Sequence, residues 1–211
     1  MNTIHRLEPD GKPDSLVIML HGYGADGQDL IDLGHSWRST LPHTVFVAPD
    51  APSACEMGGP GFQWWSIADG LDPSFNLPRA DACRRGIEKM INDECARYDV
   101  PISKVALVGF SQGGMLALHV GLRMKPQPAC IVSYAGLLLD PTLRDVTPPT
   151  PPILLVHGIM DPVVPFMFMD FAERTLRASN IVVETMARPG LGHSIDMQGI
   201  AAGGSFMRKC L

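Results

Sequence analysis

The sequence predicts an α/β fold with a mostly parallel central sheet and helices on both faces. Three observations predict it. Short runs rich in Val, Ile and Leu recur along the chain, and segments of helical period separate them. The length of 211 residues suits one domain spanning 1–211, at about 150 residues per domain. Brief apolar runs without polar alternation fit strands buried on both faces. Regular strand–helix succession is the pattern left by parallel strands joined through crossover helices.

In chain order the strand candidates are Leu16–Leu20, Val45–Ala48, Val105–Val108, Cys130–Tyr134, Ile153–Val156 and Ile181–Met186. The helix candidates are Asp29–Ser39, Arg79–Tyr98, Gln112–Met124, Pro165–Ser179 and Asp196–Lys209. Arg79–Tyr98 is the clearest: Cys83, Ile87, Met90, Ile91 and Tyr98 follow three-to-four spacing, and only Glu94 breaks the apolar stripe. Two stretches interrupt the rhythm. Residues 51–77 carry Gly58-Gly59-Pro60-Gly61 ahead of Phe62, Trp64 and Trp65, and the aromatics predict a packed loop. Residues 140–152 are proline-rich. Long loops with few regular elements are commonly functional or disordered.

Composition narrows the function. Hydrophobic residues make up 45% and charged residues 18%, with a net charge of −5. That excludes a disordered chain and argues against a nucleic-acid or anionic-membrane surface, which needs a basic excess. A chain of this length buries about 70–75% of its unfolded surface, so neither a disulfide nor a metal is required to fold it. The five cysteines are odd in number and widely spaced, with no C-x-x-C. They predict reduced thiols in a cytoplasmic protein rather than a disulfide framework or zinc site. Met1 to Arg6 lead into polar residues, so no signal peptide is expected. Apolar runs such as Leu16–Leu20 fall far short of the roughly 20 residues of a membrane span.

Two glycine motifs compete for the chemistry. Gly22-Tyr23-Gly24-Ala25-Asp26-Gly27 follows the first strand candidate and matches a dinucleotide fingerprint. Against that reading, His21 has no role in the fingerprint. The next strand ends in Pro49-Asp50-Ala51-Pro52, with its acid about thirty residues on rather than about twenty.

The second motif is more specific. Gly109-Phe110-Ser111-Gln112-Gly113-Gly114 follows a buried-strand run and precedes a helical segment. This is G-x-S-x-G in its required strand–turn–helix setting. The sharp turn projects the Ser111 hydroxyl above the sheet, and Gly109 and Gly113 remove side chains that would collide across it.

A serine nucleophile needs a base, and the base needs an orienting carboxylate. In this setting they should follow the serine in the order acid, then histidine. Three histidines remain. His119 lies in the helix after Ser111, and His157 ends a strand beside Gly158, which favours a structural role. His193 stands in the loop Pro189-Gly190-Leu191-Gly192-His193, where a base belongs. Of Asp140, Asp145, Asp161, Asp170, Glu173 and Glu184, Asp161 is favoured. It sits in another strand's carboxyl-end loop stiffened by Pro162 and Pro165; Asp140 comes next. The oxyanion donors expected are the backbone N–H groups of Gln112 and Tyr23, with His21 bracing the glycine loop.

Together these residues resemble the carboxylesterase, lysophospholipase and acyl-protein thioesterase group of small α/β-hydrolases. The matching segments are His21–Gly27, Pro49–Pro52, Trp64–Ile67, Gly109–Gly114, His157–Pro165 and Gly192-His193, in the family's order over nearly the whole chain. The resemblance implies an α/β-hydrolase fold without a large lid, a Ser111, Asp161 and His193 triad, no metal and no cofactor. It implies a small-molecule ester or acyl-thioester substrate of short to medium acyl length, and allows a homodimer. Two positions depart from the family's pattern: Tyr23 replaces a common leucine, and Ser66 replaces the acid of Trp-aromatic-Asp. Both bear on the substrate rather than the chemistry. Phe62, Trp64, Trp65, Phe166 and Met167 are candidate pocket walls, with ordinary core packing as the alternative. An amidase or lactone hydrolase is the runner-up enzyme. A non-catalytic binding module is disfavoured because all three triad positions are filled. Activity is expected to fall in acid, where His193 is protonated.

Overall fold

The computed structural model describes residues 3–211. Met1 and Asn2, on which the reading of the N-terminus partly rests, lie outside the described residues. The elements run β1 Ile4–Leu7, β2 Ser15–Leu20, α1 Gly27–Trp37, β3 Thr44–Pro49, β4 Ser53–Ala54, β5 Phe62–Gln63, α2 Pro73–Tyr98, a 3-10 turn Ile102–Lys104, β6 Val105–Phe110, α3 Gln112–Arg123, β7 Cys130–Tyr134, β8 Ile153–Gly158, α4 Met167–Ala178, β9 Val183–Arg188 and α5 Met197–Cys210.

Seven strands form the main sheet in the order β1-β3-β2-β6-β7-β8-β9. Only β1 is antiparallel to its neighbour. Along each inner strand successive side chains enter opposite layers, as the two-residue period demands. Leu16, Ile18 and Leu20 pack with α2, α3 and α4, while Val17 and Met19 pack with α1 and α5. The chain leaves β2 for β3 and returns to β6 on β2's other side. The strand order therefore switches between β2 and β6, and the crevice above their carboxyl ends is where such sheets place their sites. This is an α/β-hydrolase architecture, and no inserted helical lid interrupts the described residues. Nor is any described helix long and apolar enough to cross a membrane.

The structure adds elements that the patterning missed. β1 is an edge strand whose four residues are only half-buried. β4 and β5 are two residues each and form a separate antiparallel pair, so the loop 51–77 contains a hairpin. α2 begins at Pro73, six residues before the expected start, despite Pro78 inside it. Proline is well suited to a first helical position. Asn76 then ties the early turn down, its Nδ2 donating to Gly70 O and Asp72 O at 2.9 and 2.8 Å. β9 starts two residues late because Ile181 N–H still donates to Leu176 O of α4, at 3.0 Å.

Candidate active site

Three loops at the carboxyl ends of β6, β8 and β9 meet above the sheet. The first is the turn between β6 and α3. Ser111 there has φ 53° and ψ −117°, a left-handed setting that is costly for a non-glycine residue. Its N–H donates to Tyr134 O at 2.8 Å, which locks the turn to β7. A Cβ on Gly109 would stand 2.1 Å from Gly113 O, and one on Gly113 would stand 1.9 Å from Leu20 O. Both glycines are therefore obligatory, and the serine hydroxyl is aimed by backbone packing rather than by its own rotamer alone.

The β9 loop brings His193 to this hydroxyl. Its Nε2 lies 2.9 Å from Ser111 Oγ, and its Nδ1 lies 2.7 Å from Asp161 Oδ2 in the β8 loop. The other Asp161 oxygen accepts the Val163 and Val164 N–H groups at 2.8 and 2.9 Å. Burial opposes ionisation of Asp161, but hydrogen bonds from His193 and from Val164 and Val163 N–H hold its carboxyl below the usual carboxylate range. An ionised, doubly anchored carboxylate fixes the hydrogen of His193 on Nδ1 and leaves Nε2 free to accept a proton. Phe110 packs its ring 4.8 Å from the His193 ring, centroid to centroid.

The loop after β2 forms the opposite wall. His21 is fully buried; its Nδ1 lies 2.7 Å from Gly22 O, while its Nε2 accepts Ala51 N–H at 3.0 Å. The neutral ring thus bridges the β2 and β3 loops. Gly24 N–H donates to Phe62 O and Phe62 N–H donates to Ala25 O, each at 2.8 Å, so the hairpin backs the loop as a short strand. A Cβ on Gly61 would stand 1.9 Å from Gly24 O, which makes this approach possible only for glycine. Among the described residues no hydrogen bond engages the N–H of Tyr23 or of Gln112.

Tyr23 and Ser66 meet on one carboxylate. Glu56 Oε1 accepts the Tyr23 hydroxyl at 3.2 Å and Ile67 N–H at 3.0 Å. Hydrogen bonds from Ser66, Ile67 N–H, Gln63 and Tyr23 hold the Glu56 carboxyl below its ordinary range. Glu56 thus ties Tyr23 to the hairpin and to the segment that carries Ser66. The motif comparison could not show this, because Glu56 lies outside every matching segment.

The apolar pocket candidates occupy different surroundings. Trp64 and Trp65 are buried, with their indole N–H groups donating to His21 O at 2.9 Å and Asn76 Oδ1 at 2.7 Å. The Gln112 side chain accepts Trp64 N–H at 3.0 Å and donates to Trp65 O at 2.9 Å. The tryptophans thus clamp the β2 loop to the Ser111 turn, and Trp64 also lines a cavity of about 260 Å³ with Pro52, Cys83 and Ile87. Phe62 is half-buried in the hairpin. Phe166 stands edge-on to His157, 6.1 Å away, and Met167 is 67% exposed.

Asp140, the second choice for the acid, is instead paired with Arg123 and capped by Thr142 and Arg144. His119 faces Asp81, its Nε2 at 2.9 Å from Oδ1. His157 is closer to the chemistry than its strand-end position suggested. Its Nε2 donates to Val164 O at 2.8 Å and lies 3.3 Å from Asp161 Oδ2, so it buttresses the acid's loop. The i, i+4 spacing of His157 and Asp161 was the available signal.

Burial lowers the pKa of His21, His119 and His157 below the ordinary imidazole value of 6.5. As pH falls through that value the unfolded chain takes up protons that these three rings refuse, so stability falls. The depressed carboxyl of Asp161 acts in the same direction at still lower pH. The urea midpoint is expected to be lower at pH 5.5 than at pH 7.5; an equal or higher midpoint at pH 5.5 contradicts this account.

A family model described as phospholipase/carboxylesterase matches residues 3–211. Acyl-protein thioesterase 1 of Mycosarcoma maydis is 28% identical over 223 aligned residues, covering 95% of this chain and 92% of its own length. The crystal structure of esterase PE8 superposes with a TM-score of 0.92 at 36% identity, covering 98% of both chains. The carboxylesterase of Bacillus cereus has a TM-score of 0.79 at 14% identity, over 99% of this chain and 94% of that one, a likeness of fold alone.

Proposed function

We propose, from the premise that the chain belongs to the phospholipase/carboxylesterase family of ester and thioester hydrolases, that Ser111, His193 and Asp161 cleave carboxylic esters or thioesters of short to medium acyl chains by two-step acyl transfer. The observation that carries this reading is the continuous relay from Ser111 Oγ through His193 to Asp161. In the first step Ser111 Oγ bonds to the acyl carbon as its proton passes to His193 Nε2. The carbonyl electron pair moves onto oxygen, where the Tyr23 and Gln112 N–H groups receive it. Each such donor contributes about 3–4 kcal/mol to the transition state. The tetrahedral centre collapses, the bond to the leaving oxygen or sulfur breaks, and His193 returns its proton to that atom. Water then repeats the sequence on the acyl-serine, releasing the acid. Asp161 holds the imidazole in its tautomer and stabilises its positive form throughout. The unit acting is a single domain over 1–211, and its widely spaced thiols support a cytoplasmic site of action.

The test combines turnover with covalent labelling. Hydrolysis is measured on p-nitrophenyl esters and matched acyl-thioesters of increasing acyl length. In parallel the protein is treated with a fluorophosphonate, whose fluoride is displaced by an activated serine oxygen. Turnover of the shorter chains and one phosphonyl group on the Ser111 peptide are the expected results. A protein that neither turns over any substrate nor acquires the adduct is a binding module instead.

A further inference from the structure

A second feature adjoins His193. A cleft of about 310 Å³ is lined by His21, Gly22, Ala25, Asp29, Leu30, Leu33, Phe110, His193, Ser194 and Ile195. Its bulk comes from four apolar side chains on three elements: Leu30 and Leu33 of α1, Phe110 at the end of β6, and Ile195 beyond the β9 loop. Leu30 is 7% exposed, and Leu33, Phe110 and Ile195 are half-buried. The volume stands at the lower end of small-molecule pockets, about 300–1,000 Å³.

We propose that this cleft is the subsite for the leaving group, and that it selects neutral, apolar alcohols or thiols. The proposal rests on the acyl-transfer reading above. His193 has one nitrogen available for the chemistry, Nε2, because Nδ1 is held by Asp161. The proton that Nε2 takes from Ser111 must go to the leaving atom, so that atom departs on the imidazole's side. The chain attached to it then meets the wall of which the imidazole is itself a part. Gly22, the neighbour of Tyr23 in the loop after β2, lines the same cleft as His193, so the cleft adjoins both the base and the oxyanion loop of the proposed mechanism. Of the charged side chains, Asp29 lies in the lining and is exposed. Asp26 adjoins it, its backbone N–H donating to Asp29 Oδ2 at 3.4 Å. Two carboxylates repel an anionic leaving group at the mouth and leave the apolar interior to a neutral one.

The test keeps the acyl group constant as acetyl and varies only the alcohol, so the acyl-enzyme and its hydrolysis are common to the series and kcat/KM reports the acylation step. Ethyl, butyl and cyclohexylmethyl acetates are alkanol esters that differ mainly in apolar size. The expected result, followed by acid release, is a rise in kcat/KM of at least about ten-fold from the first to the last, the scale of apolar pocket selectivity. The acetyl ester of 4-hydroxybutyrate should be poorer than butyl acetate, and Asp29→Asn should narrow that gap. Leu33→Trp, which fills the cleft, should lower the cyclohexylmethyl-to-ethyl ratio at least about five-fold. If that variant does not fold, Leu33→Ala removes the same wall and should also flatten the series. A wild-type protein that hydrolyses all three esters equally overturns the subsite and leaves the hydrolase reading intact. A protein inert on every ester overturns both.

Discussion

Ser111→Ala is expected to lower ester hydrolysis by at least about 10⁴-fold. The loss is large because the nucleophile, base and acid act as a unit. Without the hydroxyl, His193 has no proton to take and no acyl-enzyme forms. What remains is substrate binding and the oxyanion donors acting on water. The fold should survive, since the turn is shaped by Ser111 N–H on Tyr134 O and by Gly109 and Gly113, none of which the substitution removes. Steady-state kinetics with thermal unfolding on the same sample separate the two effects. A variant retaining more than a hundredth of the parent rate assigns the nucleophile elsewhere.

Gly61→Ala should lower kcat by about 100-fold while leaving KM comparatively unchanged, although residue 61 touches none of the three triad side chains. Its new methyl would overlap Gly24 O, and either the hairpin or the glycine loop must retreat. Retreat of the loop moves Tyr23 N–H from where the oxyanion develops. Loss of one such donor costs about 10²–10³ in kcat, since the interaction is made in the transition state and not in the substrate complex. The fluorophosphonate separates this from collapse of the relay. A labelled but slow Gly61→Ala protein has an intact Ser111–His193 pair, whereas an unlabelled one has lost its nucleophile and contradicts the assignment of the defect to the loop.

The inner strands, and the three side chains that the fold brings within hydrogen-bond distance of one another, each carry a local signal in the sequence. Val105–Val108 is apolar throughout, and G-x-S-x-G needs only five consecutive residues to declare itself. Ile4–Leu7 was not readable because an edge strand is wetted on one side and four residues leave no period to detect. The hairpin of β4 and β5 escaped for a related reason. It owes its existence to Gly24 and Ala25 across the molecule rather than to its own sequence. The start of α2 was misplaced because Pro78 looks like a boundary, while the helix is in fact begun by Pro73 and capped by Asp72, with Asn76 tying its first turn to Gly70 and Asp72. Tyr23 and Ser66 stood out as substitutions, yet their common partner Glu56 is visible only in three dimensions. Trp64 and Trp65 were legible as large aromatics near the site, but the bonds of their indole hydrogens to His21 O and Asn76 Oδ1 are visible only in three dimensions.

The groups proposed to react come from loops whose residues are separated by most of the chain. His21 to Ala25 follow β2, while His193 follows β9, and the sheet order sets β6, β7 and β8 between those two strands. During synthesis the serine turn is complete long before its base exists. Ser111 and Asp161 both precede β9 in the chain, whereas His193, the base of the proposed mechanism, follows it. In the proposed mechanism reactivity requires β9 to be docked on β8 through the register from Ile153–Val183 to Gly158–Arg188. Recovery of turnover in a refolding experiment thus reports, in the proposed mechanism, the docking of β9 and the loop that carries His193.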